Sequence, residues 1–495
     1  MFSSVTPSTT APATGERWSP KLWGALVVLC GALFLDGLDI SMVGVALPSI
    51  RHDLGLSTSS LQWIVSGYVL GYGGLLLLGG RTADLLGRRR VFLIALAAFA
   101  VASLLGGLVS DPTLLIATRF IKGVGAAFTA PAGLSIITTT FAEGSARNRA
   151  LSIYTACGAS GFSLGLVLSG LLTEVGWRWT FLLPVPIALI ALVAGLRLIP
   201  REHAEDRAVG GYDVAGAVTA TAAMLLLVYA VVQAPSVGWL SAQTVISFVV
   251  VIALLVSFVI IERRTAHPLV RLGILRSGTL VRANLGAVIF FGSYVGFQFV
   301  VTQYMQTLLG WTALQTALAF LPAALIVAFA STKMGSLVDR VGTGRLIFVG
   351  FVALVAAYAL FLRAGDAPSY AAVILPSMLL LGISCALTFS SLNIQATDGV
   401  ADDEQGLASG LVNTSMQIGG AVVLAITTAV VTANAGEGTT GPAALSAGVH
   451  PALAVVTGIA VIGALVSLFG LRRRRAAQAA VPAGSVEDAV PVSAG

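Results

Sequence analysis

Two acids and two bases lie where a chain otherwise poor in charge can least accommodate them. Asp36 and Asp39 sit in FLDGLDISMVGVALP (residues 34–48), at the end of an apolar run over 23–47; Arg119 and Lys122 sit in a later run over 113–139. A charge at the middle of a bilayer is costly unless it is paired, hydrated or protonated. Each pair is spaced i,i+3, so each occupies one face of a helix. If the first run rises outward, Asp39 lies about 13 Å and Asp36 about 18 Å below its outer end near Pro48, at ~1.5 Å per residue. Counted down from Thr113, Arg119 is about 9 Å and Lys122 about 14 Å deep. The spacing predicts a two-rung ladder, Asp39 with Arg119 and Asp36 with Lys122, neutral as a set. Two chemistries are open to it. The rungs can be static bridges that fix two helices, or a proton relay. In a relay, burial raises a carboxyl pKa and an adjacent cation lowers it, so a motion that parts them turns a proton donor into an acceptor. Two acids this close titrate as a coupled set.

The elements that carry these groups are membrane helices. Hydrophobic residues make up 57% of the 495-residue chain and charged residues 10%, where a soluble protein carries about 25% charged residues. Fourteen apolar runs between 23 and 471 approach the ~20 residues that a helix needs to cross a bilayer. They lack the two-residue alternation of a membrane barrel. The first is too long and too acidic for a cleaved signal peptide. With fourteen spans and both termini cytoplasmic, all but five Lys and Arg fall on the inside; Arg51, Arg178 and Arg363 lie outside, and Arg119 and Lys122 within a span. That asymmetry is the positive-inside rule, so the net charge of +6 is a membrane signature and no nucleic acid is expected. RRRR at 472–475 reads as a stop against the inner leaflet.

Cys30, Cys157 and Cys385 fall inside apolar runs and His52, His203, His267 and His450 are scattered, so neither a disulfide framework nor a metal site is expected. No GxxxxGK[ST] loop is present, so ATP is not the expected energy source, and no nucleophile–base pairing marks an enzyme.

GRTADLLGRRR (80–90) and GSLVDRVGTGR (335–345) repeat the order Gly, Asp, Gly, Arg at equal spacing, 255 residues apart. Both fall in short inside loops between spans. Two six-helix halves place these loops equivalently only if two helices were added between the halves. Residues 213–261, free of Asp, Glu, Lys and Arg after Asp213, are the expected insertion, with a structural role. The organisation that follows is a tail over 1–20, a six-helix bundle over 21–199, linkers and two inserted helices over 200–279, a second bundle over 280–471, and a basic, then disordered, tail over 472–495. Internal repeats of this kind build secondary transporters, whose site lies where the halves meet.

These residues resemble the major facilitator superfamily. GRTADLLGRRR is similar to its signature loop and RFIKGVGAAF (119–128) to its fourth-helix motif. LDISMVGVALP (38–48) and GLASGLVNTSMQIGGA (406–421) are similar to the first and penultimate helices of its fourteen-helix drug:proton antiporters. The resemblance implies an all-α integral membrane protein with the major facilitator fold: two six-helix bundles plus two central helices. It implies export of small amphiphilic drugs or antibiotics across the cell membrane by alternating access, with protons as coupling ion and no other cofactor. Asp39 and Arg119 match family positions; Asp36 and Lys122 are additions to the pattern. Asp84, Gly87, Arg88 and Arg90 become an inside gate, with Asp339, Arg340 and Arg345 as its second copy. The fifth-helix antiporter motif is incomplete: GASGFSLGLVLSGLL (158–172) has Leu166 where a proline is expected and Ser169 for one glycine. Its remaining glycines suit close helix packing.

A cavity whose charges sum to zero favours neutral, zwitterionic or weakly charged substrates. The expected lining is Trp63, Tyr68, Tyr294, Gln298, Gln303, Asn393, Asn413 and Gln417, apolar walls with a few hydrogen-bonding groups. The bilayer is a partner, and no obligate protein partner is evident. Two alternatives remain open: proton-coupled import of a small solute, and a transporter-like sensor or scaffold.

Overall fold

The structure is a computed structural model. It describes residues 18–142, 145–201, 213–265, 268, 270, 272–331, 333–365, 368–400, 405–434 and 442–479. Most of both expected tails and of the linker over 199–212 therefore lies outside the described residues.

The described residues are helical, without strands. The helices are α1 (Pro20–Leu54), α2 (Thr58–Leu86), α3 (Arg88–Leu108), α4 (Pro112–Thr140), α5 (Ser145–Val175), α6 (Trp179–Leu182), α7 (Pro184–Leu198), α8 (Val214–Val237), α9 (Ala242–Arg264), α10 (Gly278–Gln303), α11 (Ala313–Ser331), α12 (Met334–Val341), α13 (Thr343–Phe361), α14 (Leu375–Thr397), α15 (Gln405–Ala433) and α16 (Pro442–Ala479). Local sequence sets many of the boundaries. Ser19, Ser57, Asp111, Ser241 and Ser277 cap the helices that follow them, each accepting from a backbone N–H three residues on, as capping side chains do. Gly55 ends α1 at φ 61°.

Thirteen of the described helices are long and apolar enough to cross a membrane. The remaining expected span, 60–79, falls in α2, a helix of 29 residues. The last helix continues to Ala479, through the RRRR stretch that the sequence reading placed in a tail. Arg and Ala are strong helix formers, so nothing there obliges the helix to end with the apolar run.

Helices α1–α7 and α10–α16 pack by one scheme. In the first group α1 packs on α5, α2 and α3 on α4, and α7 on α1 and α3. In the second, α10 packs on α15, α11 and α13 on α14, and α16 on α10 and α13. The groups meet along two seams, α5 with α11 and α2 with α15. Gly87 and Gly342, the equivalent glycines of the repeated loop, adopt φ 98° and 83°, each donating its N–H to the carbonyl four residues back. The repetition is thus one of backbone conformation as well as of residues.

Packing between the groups is densest away from the termini. One apolar cluster unites Val43–Ile50 of α1 with Ile289–Met305 around α10, whereas the cluster near Gly24 and Leu198 is built within the first group. Contacts across the seams follow suit. Ser163 Oγ donates to the Ala324 carbonyl at 3.3 Å, Gln306 Nε2 to the Val45 carbonyl at 3.0 Å, and the Leu314 N–H to Glu174 at 3.3 Å. The cleft is shut on the side opposite the termini.

Candidate functional site

The glycines of α5 let α1 approach its backbone. A Cβ on Gly161 would lie 2.2 Å from the Phe34 carbonyl, and one on Gly165 2.7 Å from that of Leu38. Ser169, in place of a family glycine, donates to the Met42 carbonyl at 2.6 Å. On the other side, Gly71 and Gly79 of α2 seat α4 as closely. These contacts hold the acidic face of α1 against the basic face of α4.

Asp39 is wholly buried and takes both cations. Arg119 Nη1 donates to Oδ2 and Lys122 Nζ to Oδ1. Arg119 also donates from Nε to the Ile64 carbonyl at 3.1 Å, and its guanidinium lies 4.7 Å above the Tyr68 ring. Lys122 is fully buried, with Nζ 4.9 Å from the Phe99 ring and 5.3 Å from the Phe181 ring. Cation–π contacts of this kind replace part of the lost hydration.

The second rung does not form. Lys122 is bound to Asp39, and among the described residues Asp36 receives one hydrogen bond, from Thr129 Oγ1 at 3.5 Å. Side-chain direction explains the difference. A helical side chain leans toward the start of its own helix. On the descending α4 this carries the lysine up toward Asp39, and on the ascending α1 it carries Asp36 down and away. Counting rise between Cα atoms leaves that lean out.

The expected lining residues do not share one surface. Tyr294, Gln298, Gln303 and Gln417 are buried near the contact between the groups. Tyr294 packs on Phe162 at 5.8 Å and Phe291 at 6.3 Å. Gln298 Nε2 lies 3.2 Å from where a Cβ on Gly44 would be, with no acceptor among the described residues. Gln303 accepts from Thr307 at 3.5 Å. Gln417 abuts Gly73 across the α2–α15 seam. Trp63 instead faces the inserted pair, 6.0 Å from the Tyr229 ring. Asn393 and Asn413 return their amides to their own helices, to the Phe389 and Ser409 carbonyls at 2.9 Å.

At the repeated loops expected to form the gate, the Asp84 side chain lies outside the described set, Arg88 is half-buried and Arg90 exposed. Asp339, Arg340 and Arg345 are exposed and form no ion pair among the described residues. Several contributors went unforeseen. Thr129 lies seven residues beyond Lys122, so helical spacing could have found it. Phe99, Phe181 and Gln306 come from elsewhere in the chain, and local spacing gives no sign of them.

A buried acid–base cluster between the first and fourth helices of a repeated helical bundle is transporter architecture. The family model described as Major Facilitator Superfamily matches residues 29–424. The chain belongs to the major facilitator superfamily. It is 36% identical to the puromycin resistance protein pur8 of Streptomyces alboniger, over 99% of this chain and 98% of that one. It is 38% identical to the cephamycin export protein CmcT of Amycolatopsis lactamdurans, over 85% and 87%. Among solved structures it resembles the POT family transporter PepTSo, with TM-score 0.66 and 18% identity over 93% of this chain and 99% of that one. It also resembles the human organic anion transporter MFSD10, with TM-score 0.62 and 17% identity over 91% and 100%. These two likenesses concern the fold. The chain is thus a multi-pass membrane transporter rather than an enzyme.

Proposed function

We propose that this chain exports small amphiphilic drugs or antibiotics in exchange for protons, with both termini in the cytoplasm. The observation that carries the reading is Asp39, a membrane-depth acid with no exposed surface, clamped by Arg119 and Lys122. The relatives' names, puromycin resistance and cephamycin export, support drugs as the cargo, and the distribution of Lys and Arg supports the orientation.

The cycle follows from charge. With the cleft shut away from the termini, Asp39 is satisfied by two cations. A shift of α1 against α4 within the first helix group, as the two groups rock, loosens the clamp, and a dry carboxyl that loses its counter-ions takes up a proton. Restoring the clamp expels it on the other side. Arg119 belongs to this exchange because it bridges α4, Asp39 and the α2 backbone. Lys122, held between Phe99 and Phe181, is the fixed charge behind it. Asp84, Gly87, Arg88 and Arg90, with Asp339, Arg340 and Arg345, serve as the gate on the termini side. The seam contacts lie away from that side, and Asp339, Arg340 and Arg345 of the second copy are exposed there.

The deciding experiment is drug-driven proton movement in vesicles for wild type and Asp39→Asn, with whole-cell dye accumulation measured with and without an uncoupler. Export predicts that wild type lowers accumulation only while the gradient stands, and that Asp39→Asn moves no protons. Raised accumulation would mean import, and no effect a sensor or scaffold.

A further inference from the structure

The two seams between the helix groups are closed by different means. At α5–α11 polar groups find partners, Ser163 Oγ at the Ala324 carbonyl and the Leu314 N–H at Glu174. At α2–α15 the register can be followed outward from two fixed points. A Cβ on Gly73 would lie 2.8 Å from Gln417 Cβ, and Val69 shares an apolar cluster with Ala421. Numbers fall on one helix as they rise on the other, so the helices are antiparallel. One turn farther, Ser66 lies level with Leu424, and the next turn sets Gln62 level with Thr428. Positions 62, 66, 69 and 73 form one stripe on α2, and 417, 421, 424 and 428 one stripe on α15. α2 starts at Thr58, shortly after α1 ends at Leu54, so Gln62 and Ser66 lie toward the side opposite the termini.

This outer stretch is polar, and its hydrogen bonds are unmade. Gln62, Ser66 and Thr428 are 1%, 0% and 3% exposed. Gln62 Nε2, Ser66 Oγ and Thr428 Oγ1 have no hydrogen-bond partner among the described residues. The usual outlet for a helix hydroxyl is the carbonyl one turn back. Beside Thr428, Thr427 and Thr432 use it, donating to the Val423 and Thr428 carbonyls at 2.6 and 2.9 Å, whereas Thr428 does not. A buried donor left unmatched keeps its full desolvation cost, and native proteins hold few such groups. Just inward, the seam is closed by apolar contact alone. Val69 and Ala421 pack with Val228 and Val232 of α8, and the Trp63 and Tyr229 rings lie 6.0 Å apart.

We infer that Gln62, Ser66 and Thr428 are gating residues, a polar strip that biases the outer end of the α2–α15 seam toward opening. While the seam is shut, the strip raises the energy of the shut state. When the groups part there, water reaches the amide and both hydroxyls and satisfies them. The strip therefore opposes the apolar closure supplied by α8 and its neighbours, and keeps that closure reversible. Apolar residues of the same shape would seal the seam more tightly and slow the transporter. Polar residues that hold a gate shut would do the opposite on removal. The inference takes from the export reading only its transport readout, and gate opening can be measured without it.

The test compares wild type with a triple variant, Gln62→Met, Ser66→Ala and Thr428→Val, each replacement close to the original in shape. The triple variant should melt at a higher temperature than wild type. In a chain freed of Cys30, Cys157 and Cys385, Leu424→Cys reports opening, because Leu424 is buried level with Ser66. Its alkylation by a membrane-impermeant maleimide added outside intact cells should slow at least about tenfold in the triple variant. That is about 1.4 kcal/mol in the opening equilibrium, and uncoupler-sensitive dye export should fall with it. A triple variant that fails to fold or is no more stable than wild type overturns the inference, because the polar groups are then satisfied in the shut state. Labelling as fast as in wild type overturns it too, because the strip then does not govern opening. Slowed labelling in a protein whose wild type exports no dye would sink the export reading and leave the gating residues standing.

Discussion

At the scale of single residues, the cluster around Asp39 is asymmetric, and the asymmetry predicts unequal mutants. Asp39→Asn leaves two buried cations facing a neutral amide. Breaking a buried pair in this way costs about 3–5 kcal/mol, so the variant should melt well below wild type. Adding Lys122→Met removes the stranded charge, and the double variant should recover part of that loss; thermal melting in detergent checks both, since residues in contact are not additive. Exchanging the charges of Asp36 and Lys122 should rescue neither single neutral variant. The exchange sets a new acid directly against Asp39, and drug-susceptibility assays of the three variants beside wild type would show it. All four charges could be read in the sequence, because a charge in an apolar run stands out. Their pairing could not, because it depends on how side chains lean between helices running in opposite directions.

At the scale of elements, glycine decides how closely helices approach and where loops turn. The spacing of glycines in 158–172 pointed to packing, and Gly161 and Gly165 do admit the α1 backbone. Gly165→Leu therefore forces apart the helices that carry Asp39 and Ser169. Overpacking costs about 1–3 kcal/mol, and the melting temperature should fall even with the ion cluster intact. The repeated loops call for a different glycine property. At φ 98° and 83°, Gly87→Ala and Gly342→Ala should each cost about 1–2 kcal/mol through left-handed strain. Similar losses at both sites, read by thermal melting, would establish that the repeat is energetic as well as geometric. The repeat itself was legible because like loops impose like residues. The seating of the inserted pair was not. α8 reaches both α2 and α15, with Leu225 against Gly74 and Val228 and Val232 beside Ala421, and uniformly apolar helices carry no sequence mark of which neighbour they choose.

At the scale of the molecule, transport requires the two helix groups to part where they are now joined. Ser163 and Ala324 lie at the α5–α11 seam, in contact through a hydroxyl and a carbonyl, with the Leu314 N–H donating to Glu174 farther along the same seam. In a chain freed of Cys30, Cys157 and Cys385, Ser163→Cys with Ala324→Cys can be bridged by a short bis-methanethiosulfonate. If the groups rock about the cleft, the bridge holds the far side shut. Export should then stop, and reduction of the bridge should restore it. Binding from the termini side should survive, because that side needs no opening of this seam. Each single cysteine, treated alike, should export as its untreated form does. Undiminished export by the bridged protein would mean that α5 and α11 stay together throughout the cycle. The opening would then have to be sought at α2 and α15, where α8 spans both groups and would have to release one of them at every turnover.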